Sequence, residues 1–73
     1  MRIFTFHINL SYHEFMPFYQ GQIQNIEVKD SFQQVIWING RHFRPFFTLN
    51  GVKGLFKLTL DQRGNIISLH KLE

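Results

Sequence analysis

From Arg2 to Leu10 the apolar residues Phe4, Phe6, Ile8 and Leu10 recur at every second position, with Thr5, His7 and Asn9 between them. That is the period of a strand with one face in the core. In Ser11-Tyr12-His13-Glu14, which follows, the Ser11 hydroxyl can accept from the Glu14 amide while the Glu14 carboxylate accepts from the Ser11 amide. This reciprocal pair is a capping box, and it predicts a helix start. Pro17 lacks an amide donor and crowds the carbonyl four residues back, so one or two turns are expected, ended by Gly21.

Gln22 to Lys29 reads as a second strand through Ile26 and Val28, with the out-of-phase Ile23 marking a bulge. Asp30-Ser31 is a tight turn into a third strand, Phe32 to Ile38. Apolar residues occupy both parities there, the pattern of a central strand covered on both faces. Asn39-Gly40 is a turn signal. Arg41-His42-Phe43-Arg44 forms one 3₁₀ or helical turn that ends before Pro45, since proline pushes the residue before it towards extended geometry. After Leu49-Asn50-Gly51 a fourth strand, Val52 to Leu60, places Val52, Phe56, Leu58 and Leu60 on one face and Lys53, Leu55, Lys57 and Thr59 on the other. The turn Asp61 to Asn65 leads into a fifth strand, Ile66 to Leu72.

The fold class is therefore mostly β, α+β at the margin. About five antiparallel strands form a small curled sheet or partly open barrel, with one short helix between strands 1 and 2. No repeat or linker divides residues 1–73, which read as a single domain.

At 73 residues without a cysteine, the core must come from packing alone. Nine Phe, two Tyr and Trp37 supply an unusual number of rings for that purpose. The longest apolar run, Val35 to Ile38, is far short of the roughly 18 residues a membrane span needs, so no membrane association is expected. Met1 to Leu10 lacks the continuous apolar run of a secretory leader, and the bacterial cytoplasm is the expected compartment.

Arg44-Pro45-Phe46-Phe47-Thr48, followed by Asn50-Gly51-Val52-Lys53-Gly54-Leu55-Phe56-Lys57-Leu58 and Asp61, resembles the signature stretch of a family of short gammaproteobacterial proteins, domain of unknown function 2835. The front half is similar too, through Ser11, Tyr12, Glu14, Phe15, Phe18, Tyr19 and Gly21. One departure is Ile38-Asn39-Gly40, where the family has something like Phe-Pro-Ala. The resemblance implies a compact bacterial protein and brings no activity, cofactor or catalytic residue with it.

The chemistry-bearing residues do not assemble into a reactive motif. His7, His13, His42 and His70 show no pair at ligand spacing, and Ser11, Ser31 and Ser68 lack a nucleophile-elbow context. Of the carboxylates, Asp30 and Asp61 read as turn formers and Glu14 as a cap. No enzyme, metal or cofactor is expected. The net charge of +3 is modest, yet no acidic residue falls between Ser31 and Leu60. In that stretch Arg41, Arg44, Lys53 and Lys57 are interleaved with Trp37, Phe43, Phe46, Phe47 and Phe56. Cations beside rings are what a single-stranded nucleic-acid platform uses, the cations following phosphates and the rings stacking on bases. Against this, the phenylalanines also sit at core positions, and Arg41 and Arg44 can instead cap carbonyls or pair with Glu27 or Asp30.

A third reading is association. Val35 and Trp37 share one parity and Ile36 and Ile38 the other, so one apolar pair needs cover, and Leu55 among Lys53, Lys57 and Thr59 gives such a patch a lysine rim. A homodimer through Trp37 or Ile36 would provide that cover. The expectation is thus a non-enzymatic binding module, with nucleic acid as the leading partner class and protein or self-association as the alternative.

Overall fold

The computed structural model describes residues 1–73. Strand β1 (Arg2–Leu10) leads through the N-cap Ser11 into helix α1 (Tyr12–Tyr19). Both capping-box bonds form: the Glu14 amide donates to Ser11 Oγ at 3.1 Å, and the Ser11 amide to Glu14 Oε1 at 2.9 Å. The helix makes two turns with Pro17 inside it and stops at Gln20, before Gly21 turns left-handed at φ 82°.

Strand β2 (Asn25–Lys29) starts later than the expected Gln22, and Ile23 is not a bulge. The amides of Gln22 and Ile23 both donate to the Pro17 carbonyl, at 2.9 and 3.3 Å. The end of α1 thereby holds these two residues in a turn and keeps them out of the sheet.

Strand β3 (Val35–Asn39) also starts later than expected, and it is not a central strand. The buried carboxylate of Asp30 accepts the amides of Phe32 at 2.9 Å and Gln34 at 2.8 Å, while Gln33 takes φ 66°. This Asx-type turn uses the amides that an earlier strand start would have needed. Phe32 is left 83% exposed in the turn. The 3₁₀ segment Gly40–Phe46 follows, begun by the Asn39 side chain, which accepts the Arg41 amide at 3.0 Å. It runs on through Pro45 instead of ending before it, because the fixed φ of proline suits a 3₁₀ turn. Strand β4 (Val52–Leu60) has the expected bounds, and β5 (Ile66–Lys71) ends one residue early.

The strands form two antiparallel sheets, β1-β4-β5 and the β2-β3 hairpin, and no closed barrel. Facing side chains of both make one core: Phe4, Phe6, Ile8, Phe56 and Leu58 from the larger sheet, Ile26, Val28 and Ile38 from the hairpin, with Phe15 and Phe43 between. The Phe6 and Phe56 rings stack at 5.9 Å, and Phe43 meets both edge-on, at 6.3 and 5.5 Å. Gly51, at φ 91°, lets the loop before β4 pass against the end of β1, where a Cβ would run into the Leu10 carbonyl.

Candidate functional site

The hairpin register fixes what β3 presents. The Asp30 amide donates to the Gln34 carbonyl at 3.0 Å and the Gly40 amide to the Gln24 carbonyl at 2.8 Å, so the hydrogen-bonded pairs carry even numbers. By the alternation of an antiparallel ladder, Ile36 and Ile38 bond to β2 while Val35, Trp37 and Asn39 turn their N–H and C=O groups the other way. Val35 and Trp37 contribute no main-chain groups to a bond elsewhere in the molecule, whereas Asn39, as N-cap of the 3₁₀ segment, gives its carbonyl to that segment and keeps only its amide free. The side chains divide similarly: Ile38 is buried and Ile36 half-buried, whereas Val35 is 47% and Trp37 63% exposed. The outward pair is thus Val35 with Trp37.

Beside β3 lies an open cleft of about 520 Å³, with Gln34 to Trp37 on one wall and Arg2, Phe4 and Leu60 on the other. Arg2 and Phe4 lie two apart on β1 and so share a face, which sets the guanidinium 5.0 Å from the centre of the Phe4 ring. Arg2 is the one charged group lining the cleft.

The remaining expected site residues are dispersed. Arg44 donates from Nη2 to the Tyr19 carbonyl at 3.0 Å and lies 5.4 Å from the centre of the Tyr19 ring, so it caps the C-terminal end of α1. Arg41 is exposed on the 3₁₀ segment. Lys53 lines a notch with Tyr12, His13 and Asn50, where its charge helps to hold the Glu14 carboxyl low. Lys57 sits between Thr5 and His70 in the ladder of the larger sheet. No cleft is lined by more than one of Trp37, Arg41, Arg44, Lys53 and Lys57. Glu27 faces Trp37 and Lys29 faces Val35 in the hairpin register, in place of the expected rim of Lys53 and Lys57.

The phenylalanines interleaved with these cations are structural. Phe43 and Phe56 are fully buried, Phe46 packs edge-on to Phe56 at 5.1 Å, and Phe47 is surrounded by Tyr12, Phe15 and Tyr19 at 4.7–5.4 Å. Three titratable groups depart from their ordinary values. The Ser11 amide and hydroxyl hold Glu14 low, amides of the 61–65 turn, chiefly that of Asn65, hold Asp61 low, and burial followed by the Arg41 charge lowers His42. No three histidine or carboxylate side chains come together as metal ligands, and no helix is long and apolar enough to cross a membrane.

A family model described as protein of unknown function DUF2835 matches residues 2–72. The chain belongs to the DUF2835 family. No curated protein and no solved structure shows significant similarity to it. Within this DUF2835 chain, sequence reasoning singled out Trp37 and missed Arg2. The signal for Arg2 was its shared parity with Phe4; what the pattern could not supply was the approach of β3 to that end of β1.

Proposed function

We propose that this DUF2835 chain is a non-enzymatic binding module that works through the outer edge of β3, with a protein strand as its partner. The observation that carries the reading is the state of that edge. Val35 and Trp37 offer unpaired N–H and C=O groups, and Asn39 an unpaired amide, along a strand whose outward side chains include an exposed valine and an exposed tryptophan. Strand addition to such an edge takes its affinity from the main chain and its selectivity from alternate side chains. Capture from an extract of cells that encode the protein, with and without nuclease, tests the reading. A partner that survives nuclease and is lost with Trp37→Lys supports it, while a partner that nuclease removes contradicts it.

Single-stranded nucleic acid is the second reading, favoured by the placement of the Arg2 guanidinium and Trp37 in the same cleft. If Arg41, Arg44, Lys53 and Lys57 all contacted phosphates, the logarithm of affinity would fall with the logarithm of salt at a slope of about −3, or about −3.5 with Arg2 added. The dispersal of those four cations favours the protein partner. Titration of mixed-sequence single-stranded DNA and RNA at low salt, followed by the fluorescence of Trp37, decides: no measurable binding removes the nucleic-acid reading.

A further inference from the structure

The strand edges of the molecule differ in how they are guarded. Natural proteins blunt exposed edges with lysine, proline, bulges or a covering segment. Strand β5 ends in His70-Lys71 and carries a register shift opposite Thr59/Leu60. The open side of β1 is met by the loop after β2, where the Ser31 amide donates to the Thr5 carbonyl at 3.1 Å. Strand β3, Val-Ile-Trp-Ile-Asn, has none of these: its pairing with β2 is continuous from Val35 to Asn39, with no bulge, proline or charged residue.

We propose that β3 pairs with β3 of a second copy of this chain, antiparallel about a two-fold axis at Trp37, joining two hairpins into one four-stranded sheet. The proposal rests on β3 being the association surface and adds the identity of the partner. The edge is self-complementary about that axis. Trp37 faces Trp37 and exchanges two main-chain bonds with it, and Val35 faces Asn39, whose free amide donates to the Val35 carbonyl. On the inner side Ile36 meets Ile38 of the copy and extends the apolar layer. On the outer side the two indoles meet and lose solvent.

Charge permits the arrangement. Each Glu27 lies opposite its own Trp37, so the two carboxylates stand three strand spacings apart, roughly 14 Å. That exceeds the screening length of about 8 Å at physiological salt. Area sets the strength. A five-residue edge with one exposed indole buries well under the roughly 800 Å² per partner of a standard interface. The dimer is therefore weak, with a dissociation constant on the order of 0.1 mM.

The test uses the whole chain at physiological salt between about 1 µM and 1 mM, a range that brackets the expected dissociation constant. Sedimentation equilibrium reads the mass, and the emission of Trp37, the only tryptophan, reads the interface. The expected result is a doubling of mass from 8.8 kDa, with Trp37 emission moving to shorter wavelength in step. The doubling of mass is lost in Trp37→Lys, and both changes are lost in Val35→Lys; the folding of each variant is checked by circular dichroism. A single-chain mass throughout overturns the proposal, as does a doubling that leaves Trp37 emission unmoved and survives Trp37→Lys. A chain that stays monomeric yet captures another protein through Trp37 overturns the second copy as partner and leaves the wider reading of the β3 edge standing.

Discussion

The three-stranded sheet and the β2-β3 hairpin follow the same alternation but use their outward positions differently. On the β4 strand of the sheet, outward positions carry Lys53, Lys57, a half-buried Leu55 and a Thr59 buried between neighbouring strands. On β3 they carry Val35 and Trp37, open to solvent. Both elements give their inward residues to the same core, so folding alone accounts for Phe56 and Ile38 and does not account for Trp37. Burial makes the sheet and the inner half of the hairpin a folding unit. The outer half of the hairpin is apolar surface that the fold does not use.

The largest effect that can break this contrast is in the sheet. Phe56→Ala removes a ring that stacks on Phe6 and meets Phe43 and Phe46 edge-on, and denaturant unfolding should show a loss of about 3–5 kcal/mol. The matching truncation on the hairpin, Trp37→Ala, should change monomer stability by no more than about 0.5 kcal/mol at low protein concentration. Similar losses for the two would mean that the outward face of the hairpin belongs to the core.

Between these extremes lie the contacts that tie α1 in place. Arg44→Ala leaves the Tyr19 carbonyl without its donor and removes the stacked guanidinium, with an expected loss of about 1 kcal/mol that Arg44→Lys does not restore. Restoration by lysine would show that charge alone matters there. Ser11→Ala deletes one half of the capping box and should also cost about 1 kcal/mol, read by the same unfolding curves.

The pattern of the sequence reached β1, β4 and the capping box because each is a local signal. Strict alternation and a three-residue spacing need no knowledge of what lies opposite. Strand β3 shows where that stops: apolar residues on both parities read the same whether the second face is covered or bare. Its late start depends on Asp30 taking the amides of Phe32 and Gln34, against the strand preference of Phe32 itself. Arg44 and Tyr19 are 25 residues apart and the cleft joins Arg2 to Trp37, so neither contact leaves a trace in local spacing. Candidate cations were therefore legible one by one, and their dispersal only in three dimensions.

The smallest expected effect is the pH dependence. His42, Glu14 and Asp61 all have folded values below their ordinary ones, so the unfolded chain binds more protons and stability rises with pH. Acidification should first remove the His42 contribution as pH falls below its ordinary value near 6.5. The Glu14 and Asp61 contributions should follow below their ordinary values of 4.5 and 3.8. A thermal midpoint that rises as pH is lowered through this range would contradict these assignments.

Amide hydrogen exchange, resolved by residue along β3 at micromolar concentration, tests the free edge most directly. Ile36 and Ile38, bonded to β2, should exchange slowly, while Val35, Trp37 and Asn39 exchange at nearly the rate of an unprotected chain and become protected when the protein is concentrated. Slow exchange of the Trp37 amide in dilute, monomeric protein would contradict the account, because the edge would then already be paired within the chain.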